Sequence, residues 1–494
     1  MSQFTIGVDI GTTGTKTVLI DVGAARIVAQ ASRESRLFAD APGHAEADPA
    51  QWIDNAHSTI RAVLDESGVP ANQVGALATT GMVPAVVPVD GDGAPVRRAI
   101  LQNDARATEQ IERLRAALDP TDVLAATGSA ITQQSVAPTA MWLRDNEPET
   151  WARTVRLVGS YDWVLMALGA APHVELNWAI ESGLATIDAQ RYEPVYAAAG
   201  LGADIVPDVL VPGAQAGTLS AAAAAATGLP EGLPLIVGGA DHVLSAYAAG
   251  VNAAGDWLVK LGGAGDILAA SDTPVIDGRL YLDAHPVPGR WLPNGCMATS
   301  GSLIRWFQTL TGGVDLLQLD DEAAGRPAAE VLCLPYFLGE KSPLHDPDLR
   351  GAFVGLDLAH TRADMYRSVL EAIAFGFKHH TDVFASIGVP LRRAMVTNGG
   401  SKSVLWKQIH ADVLNTALYP VIGHPGASLG AAVIAGIGVG AIDDWDGVQR
   451  FLTLGDAVEP DPRNVDRYAE AYAQWRTLGD LLTPVSHQLA RKAP

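Results

Sequence analysis

The chain has 494 residues, 48% of them hydrophobic and 18% charged, so it is long and apolar enough to build two or three domains with cores of their own. Its 55 acidic residues against 34 basic ones give a formal net charge of −21, which excludes the basic surface of a nucleic-acid-binding protein and predicts repulsion from anionic membranes. Two cysteines, Cys296 and Cys333, make no disulfide framework, and neither a signal-peptide pattern nor an apolar run of about 20 residues is present, so we expect a protein of the reducing cytoplasm.

The first predicted element is a β-hairpin with a turn rich in glycine and threonine. Residues 4–10 alternate between apolar and polar side chains, which is typical of a strand with one polar face, and a return strand over residues 17–21 follows the turn at residues 11–16. Backbone N–H groups of glycines and hydroxyls of threonines can donate to a phosphate, and Asp9 on the first strand can hold Mg²⁺. The turn lacks the spacing of a Walker A loop, so an ordinary glycine-rich hairpin is the alternative at this point.

A second candidate feature lies where a buried strand meets a helix. The strand predicted over residues 233–237 runs into Gly238-Gly239-Ala240-Asp241-His242, and a helix follows. A carboxylate at the carboxyl end of a strand in an α/β protein faces the crevice in which ligands bind, so Asp241 could accept a proton from a substrate hydroxyl. Aspartate also caps helix N-termini well, and the pattern here fits either role.

The second half of the chain begins with another hairpin of the same design. Residues 257–270 give two strands around the turn Gly262-Gly263-Ala264-Gly265, and superposing it on the first turn aligns the glycines. Each half of the chain would therefore begin with the same unit. We predict a boundary near residues 251–255 and two domains, residues 1–250 and residues 251–494.

A third strand-to-helix junction has the sequence Asn-Gly-Gly-Ser-Lys-Ser at residues 398–403, after a strand predicted over residues 394–397. Two successive glycines let a flat ring or a phosphate approach the backbone. A helix start capped by Ser401 or Ser403 would have the same pattern, so this junction alone does not separate binding from capping.

Strands and helices alternate along the chain, which predicts an α/β fold. The helices are indicated by apolar residues at helical spacing, and the last one is charged and amphipathic and is expected to pack back on the body. A further strand is predicted at residues 76–80, and the predicted helices span residues 52–65, 107–118, 139–144, 362–387, 403–414 and 463–482.

Five segments, in order along nearly the whole chain, resemble motifs of the FGGY family of carbohydrate kinases, within the actin-like superfamily. The opening turn is similar to the family's phosphate motif, and Gly-Gly-Ala-Asp-His is similar to the segment that carries its catalytic aspartate. The other three are similar to a proline- and tyrosine-containing stretch, to the C-terminal signature and to the adenosine motif. The five segments are residues 9–16, 238–242, 335–343, 351–371 and 399–408.

The resemblance implies both a fold and an activity. The fold would be α/β, with two actin-like (ribonuclease H-like) domains, each a mixed five-stranded sheet flanked by helices, around a central cleft. Residues 1–250 would carry the sugar site, the first phosphate hairpin and the catalytic aspartate, and residues 251–494 the second phosphate hairpin and the adenosine motif. The implied activity is phosphorylation of a small sugar or polyol by ATP with Mg²⁺, with a ketopentose such as xylulose favoured, in a cytoplasmic protein that binds neither nucleic acid nor membrane and that can form a homodimer.

The resemblance also implies roles for individual residues. Asp241 and Asp9 would be catalytic, Asp241 as the general base for the attacking hydroxyl, and both would hold Mg²⁺ through water. The residues expected to bind ATP are Gly11, Thr12, Thr13, Lys16, Gly262, Gly263, Gly301, Arg305, Gly400 and Ser401. The residues expected to bind the sugar or polyol are Met82, Val83, Gln102, Asp104, Asn177, Trp178, Asp241 and His242.

The second hairpin departs from the family's pattern. Xylulokinase-like members usually have S-L-G-T-S-G there, whereas this chain has Lys-Leu-Gly-Gly-Ala-Gly, beginning at Lys260. Both hydroxyl side chains are missing, so either the affinity for ATP falls or Lys260 compensates. The alternative is a catalytically impaired actin-like protein that only binds nucleotide and sugar.

The sugar side departs as well. The family's G-Q-M-H is Gly-Met-Val-Pro at residues 81–84, Gln102 replaces a tryptophan, and the D-x-S-N-A-S segment is Asn-Trp-Ala-Ile-Glu-Ser at residues 177–182. A pocket that hydrogen-bonds hydroxyls discriminates by the partners it leaves unpaired. A pentitol or a tetrose-derived polyol therefore stays open beside a ketopentose.

Overall fold

The computed structural model describes residues 3–491 and divides into two compact units. The first unit comprises Met1–Gly250, Leu282–Trp291 and Pro425–Leu452, and the second comprises Val251–Tyr281, Leu292–His424 and Thr453–Pro494. The chain leaves the first unit close to the predicted boundary, but two later segments return to it. The predicted division into residues 1–250 and 251–494 is therefore incomplete, because a single boundary cannot describe segments that cross back.

Strands occur throughout the chain. In chain order they are β1 (Phe4–Gly11), β2 (Gly14–Asp21), β3 (Arg26–Glu34), β4 (Glu46–Ala47), β5 (Val74–Gly81), β6 (Val87–Val89), β7 (Ala99–Ile100), β8 (Arg156–Val158), β9 (Val174–Glu175), β10 (Val209–Leu210), β11 (Gln215–Thr218), β12 (Pro234–Ala240), β13 (Asp256–Leu261), β14 (Gly265–Ala269), β15 (Tyr281–Ala284), β16 (Trp291–Met297), β17 (Leu332–Leu334), β18 (Ala352–Val354), β19 (Arg393–Thr397) and β20 (Leu418–Pro420).

Helices alternate with these strands, as predicted. In chain order they are α1 (Pro49–Ser67), α2 (Thr108–Ala117), α3 (Pro120–Thr127), α4 (Val136–Asn146), α5 (Pro148–Arg153), α6 (Ser160–Leu168), α7 (Leu176–Glu181), α8 (Glu193–Ala199), α9 (Ala221–Thr227), α10 (Asp241–Ala248), α11 (Gly301–Leu310), α12 (Leu316–Ala324), α13 (Arg362–Ser386), α14 (Val404–Leu414), α15 (Ala427–Gly438) and α16 (Pro462–Ala490). None of the helices within residues 3–491 has both the length and the apolar character needed to cross a membrane.

The first unit is built on a six-stranded mixed sheet with the order β11–β12–β5–β1–β2–β3. Strand β1 runs parallel to β5 and antiparallel to β2, and β12 runs parallel to β5 on its other side. The hairpin predicted at the start of the chain is confirmed, and its strands close at the Gly11–Gly14 pair. Because β12, β5 and β1 are parallel, their carboxyl ends share one edge of the sheet, where ligands bind in α/β folds.

Helix α15 packs on this sheet although it belongs to a segment late in the chain. It lies so close to β1 that a Cβ atom on Gly7 would be 2.0 Å from the carbonyl oxygen of Ser428, so a larger residue does not fit at position 7. The Thr5 hydroxyl donates a hydrogen bond of 2.7 Å to the carbonyl of Ala432 in the same contact. A late segment of the sequence thus completes the core of the first unit.

The second unit repeats the plan of the first. Its six-stranded sheet has the order β15–β16–β14–β13–β19–β20, with β13 antiparallel to β14 and parallel to β19. The second predicted hairpin is confirmed, although it closes at the Leu261–Gly265 pair and so has one more residue in its turn than the first hairpin. The predicted α/β architecture with two sheet-containing domains is confirmed. Each sheet has six strands instead of the five that the resemblance implies, because short strands such as β11 and β20 add to the edges.

Two long helices form much of the core of the second unit. Helix α13 begins with a capping box in which Thr361 and Asp364 satisfy each other's backbone N–H groups. Helix α16 is longer than the predicted residues 463–482 and buries Tyr468 and Trp475 in the same apolar core. The indole nitrogen of Trp475 is satisfied by a backbone carbonyl at 2.8 Å, so this large ring is buried without an unpaired polar atom.

Candidate active site

The first hairpin brings a carboxylate and an ammonium group together. Asp9 on β1 pairs across the sheet with Lys16 on β2, Gly11 closes the turn, and Thr13 is exposed at its tip. The Lys16 ammonium donates to the carbonyl of Pro425 at 2.8 Å. Burial lowers the pKa of Lys16, and the charge of Asp9 partly opposes this effect. Lys16 therefore holds a backbone carbonyl of its own unit as well as lying beside Asp9.

The tip of the same hairpin meets residues predicted for the sugar side. Thr12 Oγ1 lies 3.8 Å from Met82 Sδ, and Gln102 Nε2 donates to Thr12 Oγ1 at 3.4 Å. The Gln102 Oε1 atom is buried and makes no hydrogen bond within residues 3–491, so it can accept one from a ligand hydroxyl. Met82 and Val83 are almost fully buried. Residues predicted separately for phosphate and for sugar thus lie side by side.

Asp241 is the first residue of α10, directly after β12. The N-cap position is Ala240, and no side chain caps this end of the helix. The Asp241 side chain is 38% exposed. The alternative role of Asp241 as an N-cap is therefore not supported, and its place at the carboxyl end of β12 favours the role of a base.

His242 is held among three carboxylates of the first unit. Its Nε2 atom lies 2.7 Å from Asp283 Oδ2 and 3.8 Å from Glu181 Oε1, and its Nδ1 atom lies 3.5 Å from Asp241 Oδ1. Burial alone would lower the pKa of His242, but the nearby carboxylates, Asp283 first among them, raise it well above its ordinary value. Burial, together with the charge of Asp283, raises the pKa of Glu181. The surrounding carboxylates therefore favour the protonated imidazole.

Three residues predicted to bind the sugar are occupied by contacts within the protein. The Asn177 amide exchanges two hydrogen bonds with the backbone of Ala284, at 2.9 and 2.7 Å. The Trp178 indole nitrogen donates to the carbonyl of Ala85 at 2.8 Å, and its ring is fully buried. Asp104 is buried and forms a two-bond ion pair with an arginine two residues further on. Direct sugar contacts by these three residues are not supported, because their polar atoms already have partners.

The second unit contains a cavity of about 660 Å³, within the range of about 300–1,000 Å³ that is typical of small-molecule sites. The glycine turn of the second hairpin, the start of α11 and the junction before α14 form its walls. Ser401 is adjacent, and its hydroxyl donates to the carbonyl of Asn398 at 2.7 Å, while Ser403 is the N-cap of α14. The predicted ATP-binding residues in the wall are Gly262, Gly263, Gly301, Arg305 and Gly400.

The cavity also has an apolar side that the sequence did not indicate. Leu316, Leu317 and Asp320 come from α12, and Tyr366 from α13, whose hydroxyl donates to Asp320 at 2.9 Å. Leu316 and Leu317 are both exposed, by 37% and 73%, and together give an apolar surface that a flat ring can cover. The one signal for this side in the sequence is the pair Leu316 and Leu317 at the start of the acidic helix α12. No spacing in the sequence connects this helix with the glycine motifs.

Backbone hydrogen bonds fix the turn of the second hairpin. The N–H of Gly301 donates to the carbonyl of Gly262 at 2.8 Å, and those of Ser300 and Ser302 donate to the carbonyl of Gly263 at 2.9 and 3.0 Å. A Cβ atom on Gly301 would lie 2.7 Å from the Gly262 carbonyl oxygen, so this contact requires glycine. The turn is therefore held in shape without the hydroxyl side chains that it lacks.

Comparison with known proteins shows that both halves of the chain match domains of one family. Models of the N-terminal and C-terminal domains of the FGGY family of carbohydrate kinases match residues 4–248 and 259–439. The solved structure of a xylulose kinase from Rhodospirillum rubrum is 40% identical in sequence, with a TM-score of 0.91 over 98% of this chain and 100% of that chain. The chain belongs to the FGGY family of carbohydrate kinases. A xylulose kinase of Bacillus subtilis is 26% identical to it over 96% of each chain. A xylulose kinase of Escherichia coli is also 26% identical, over 97% of this chain and 99% of the relative.

The predicted family and activity are confirmed by these comparisons. This kinase catalyses the phosphorylation of a sugar or polyol hydroxyl by ATP, and its two halves carry the two domains of the family. The alternative of a catalytically impaired binding protein receives no support from them, because the relatives that match nearly the whole chain are kinases.

Asp283 and Glu181, which lie beside His242, are not among the residues predicted for the site. Asp283 is fully buried on the segment Leu282–Trp291, which lies far from α10 in sequence but in the same unit. Glu181 lies inside the segment at residues 177–182, whose departure from the family's sugar motif is the one signal for it in the sequence. A contact between segments this distant leaves no periodic pattern in a single sequence.

The contacts of Lys260 do not favour the prediction that it compensates for the missing hydroxyls of the second hairpin. Its ammonium lies 2.9 Å from Asp266 Oδ2, on the directly opposite residue of β14, so its charge is balanced within the hairpin. We expect Lys260→Ala to change the KM for ATP by less than about threefold. A half-buried ion pair within one hairpin contributes little free energy to interactions outside that hairpin. Steady-state kinetics with Asp266→Asn as the paired control would check this. A rise above about tenfold in Lys260→Ala alone would show that Lys260 contacts the phosphates.

Glu175 is a buried acid next to the site, and it makes the stability of the first unit depend on pH. Burial raises its pKa from 4.5 to about 7, although it accepts hydrogen bonds from the Tyr161 hydroxyl and the Trp178 N–H. The folded state therefore binds a proton more tightly than the unfolded chain. The protonated Glu175 therefore adds to the free energy of unfolding below about pH 4.5. This contribution, about 3 kcal/mol at most, is lost as the pH rises through about 7.

Glu175→Gln should raise the melting temperature at pH 8 and change it much less at pH 5, because the amide keeps an acceptor oxygen and cannot ionise. Thermal unfolding of both proteins at the two pH values measures this. The exposed Glu66→Gln on α1 serves as the control and should show no such difference. Equal shifts of the melting temperature at both pH values would contradict the expectation.

Proposed function

We propose that this kinase transfers the γ-phosphoryl group of ATP to a hydroxyl group of a ketopentose, with D-xylulose as its preferred substrate. The proposal is carried by the exposed carboxylate of Asp241 at the end of β12, beside His242 and in the unit that also holds the unpaired acceptor of Gln102. The choice of sugar is supported by the relatives from Rhodospirillum rubrum and Bacillus subtilis, both named xylulose kinases.

In the proposed reaction, Asp241 accepts the proton of the attacking hydroxyl while the oxygen of that hydroxyl forms a bond to the γ-phosphorus. The bond between this phosphorus and the bridging oxygen breaks, and ADP leaves with the electron pair. A positioned base contributes about 10²–10⁴-fold to such a step. The rest of the acceleration comes from alignment of the reactants and from charge stabilisation of the transferring group.

We assign the contacts with ATP to the two glycine-rich hairpins and to the cavity of the second unit. The adenosine would lie on Gly400 and Ser401, against the apolar side formed by α12 and Tyr366, which supports a flat ring there. The phosphates would be held mainly by backbone N–H groups and by hydroxyls of the first hairpin. The phosphate-binding residues in this proposal are Gly11, Thr12, Thr13, Lys16, Gly262, Gly263, Gly301 and Arg305.

Asp9 and Asp241 fit a Mg²⁺ ion that accompanies ATP. Both offer carboxylate oxygens, the donors that Mg²⁺ prefers, and they lie on or after β1 and β12, the two strands that flank β5. We therefore propose that these two side chains hold the ion through its water ligands. When bound, the ion would neutralise part of the charge on the phosphates.

For the sugar, we propose that Gln102, Asp241 and His242 make the polar contacts and that Met82 and Val83 form the apolar wall. Gln102 is favoured because its buried carbonyl oxygen has no protein partner within residues 3–491. The residues whose polar atoms are already bound within the protein would shape this pocket without touching the sugar. They are Asp104, Asn177 and Trp178.

The test is coupled ADP release with Mg-ATP and a panel of sugars that differ by single groups. The panel comprises D-xylulose, L-xylulose, D-ribulose, xylitol, erythritol and glycerol, each at several concentrations. We expect kcat/KM for D-xylulose to exceed the other values by at least about tenfold, because a pocket that hydrogen-bonds hydroxyls rejects analogues that leave its groups unpaired. A higher kcat/KM for xylitol or erythritol would overturn the choice of a ketopentose. Absence of turnover with every sugar would overturn the proposal.

We also propose that the kinase works in the cytoplasm as a monomer or homodimer without a nucleic-acid partner. Cys296 and Cys333 are both free thiols, as expected in a reducing compartment, and the net charge of −21 disfavours nucleic acid. Sedimentation analysis of the purified protein would distinguish the two oligomeric states.

A further inference from the structure

A chain of contacts leads from a buried carboxylate to Asp241. Asp283 Oδ2 lies 2.7 Å from His242 Nε2, and His242 Nδ1 lies 3.5 Å from Asp241 Oδ1. The exposure of the three side chains increases along this line, from 1% for Asp283 through 19% for His242 to 38% for Asp241. The buried end is anchored in the protein, and the exposed end is the proposed base.

Asp283 itself is fixed by its surroundings. It lies on the segment Leu282–Trp291, which returns to the first unit from a later part of the chain. The Asn177 amide binds both backbone groups of the neighbouring Ala284, at 2.9 and 2.7 Å, which ties this segment to α7. Both partners in these bonds are buried, so the position of Asp283 is set by a contact that water does not weaken.

Glu181 closes the cluster from the other side. Its Oε1 atom lies 3.8 Å from His242 Nε2, and burial, together with the nearby charge of Asp283, raises the pKa of its carboxyl group. One imidazole and two carboxylates can also bind a metal ion, and the donor atoms of these three residues lie within 4.8 Å of one another. The 2.7 Å contact between the imidazole and Asp283 is a direct hydrogen bond, however, so we interpret the group as a hydrogen-bonded cluster.

We propose that Asp283 is a positioning residue that holds His242 against Asp241, and that Asn177 acts with it by fixing the segment on which Asp283 lies. This inference rests on the proposed function, in which Asp241 is the general base. An imidazole held at one nitrogen by a buried carboxylate cannot turn away from the carboxylate at its other nitrogen. The Asp241 side chain is thereby kept in one orientation toward the attacking hydroxyl.

Orientation of this kind matters because proton transfer depends steeply on geometry. Displacement of a catalytic group by about 1 Å can lower the rate about 10²-fold without any change in chemistry. Supporting residues that lock the rotamer of a reacting group are therefore part of a working site. Asn177 thus has a role, although its contacts do not support the predicted bond to sugar.

The test is a double-mutant cycle with Asp283→Asn and His242→Gln. We expect Asp283→Asn to lower kcat with D-xylulose about 10- to 100-fold and to change the KM for ATP by less than about threefold, since the nucleotide cavity lies in the second unit. In the His242→Gln background the same change should lower kcat by less than about twofold, because the side chain that Asp283 holds is gone. The matched control is Asp65→Asn, the same chemical change at an exposed position of α1, which should keep the kcat of the unchanged enzyme.

Thermal unfolding of each variant is measured in parallel. If Asp283→Asn does not fold, Asn177→Ser replaces it, because this change loosens the segment without altering a charge near His242. An unchanged kcat in the folded single variant would overturn the inference. Losses that multiply in the double variant would overturn it as well, since they would show that Asp283 acts independently of His242.

The Asp241→Asn variant separates the role of the base from the positioning role. If Asp241→Asn keeps the turnover of the unchanged enzyme, the role of Asp241 as the base is wrong, and the inference falls with it. If Asp241→Asn is inactive while Asp283→Asn and Asn177→Ser are fully active, the base is supported and only the positioning role is overturned.

Discussion

Replacement of Asp241 by asparagine should lower kcat with D-xylulose by about 10²–10⁴-fold, the contribution of a positioned general base. Asparagine has the size of aspartate but cannot accept the proton of the attacking hydroxyl. The KM for ATP should change by less than about threefold, because the cavity assigned to adenosine lies in the second unit. Steady-state kinetics of ADP release, with binding of ADP measured by calorimetry, would check both expectations.

The control for this variant is the same chemical change at another helix start of the first unit. Asp48 is the N-cap of α1, and its side chain accepts the N–H of Ala50 at 3.0 Å. Asparagine caps helices as well as aspartate does, so Asp48→Asn should leave kcat within about twofold of the unchanged enzyme. If Asp241→Asn kept more than about a tenth of the kcat, Asp241 could not be the base.

Replacement of Gly400 by alanine should weaken nucleotide binding about 5- to 150-fold, the equivalent of about 1–3 kcal/mol for an overpacked site. A Cβ atom at this position would lie 2.1 Å from Cζ3 of Trp406 and 2.7 Å from Cβ of Leu261. Both neighbours line the cavity, and Trp406 is buried, so the junction must move and the cavity must change shape. Calorimetric titration with ADP and the KM for ATP measure the effect.

The adjacent glycine provides a matched control. A Cβ atom on Gly399 would meet no heavy atom within 4 Å, so Gly399→Ala should change the affinity for nucleotide by less than about twofold. Both substitutions reduce the freedom of the unfolded chain equally, so their difference reports the contact with Trp406. Similar affinities in the two variants would show that the shape of this junction does not matter for nucleotide binding.

The parts of this kinase that were predictable from the sequence are those formed by neighbours along the chain. Each hairpin is made of two strands and a short turn, so alternation and glycines were sufficient to predict both. The strand before Asp241 was predicted to end before Gly238 and instead continues through Ala240. Glycines usually interrupt a strand, but here a Cβ atom on Gly238 would lie 2.0 Å from the Thr79 carbonyl oxygen, so close pairing with β5 requires a glycine.

The parts that could not be predicted depend on contacts between distant segments. The partner of His242 is Asp283, and the partner of the Asn177 amide is the backbone of Ala284, more than a hundred residues away. The resemblance therefore assigns polar residues of the sugar side to the ligand, because a single sequence does not show which protein groups satisfy them. The fold determines whether a buried amide is hydrogen-bonded within the protein or is left to bind a substrate.

Helix α15 has a consequence for the synthesis of this protein. The ribosome releases β1 and β5 early, but the helix that seals them against Gly7 is translated only near the end of the chain. At the usual speed of translation the gap is roughly 20–80 s, during which an apolar sheet face has no cover. A nascent chain in this state exposes apolar surface that favours aggregation. A gene truncated after residue 250 should therefore yield an aggregating product instead of an autonomous domain.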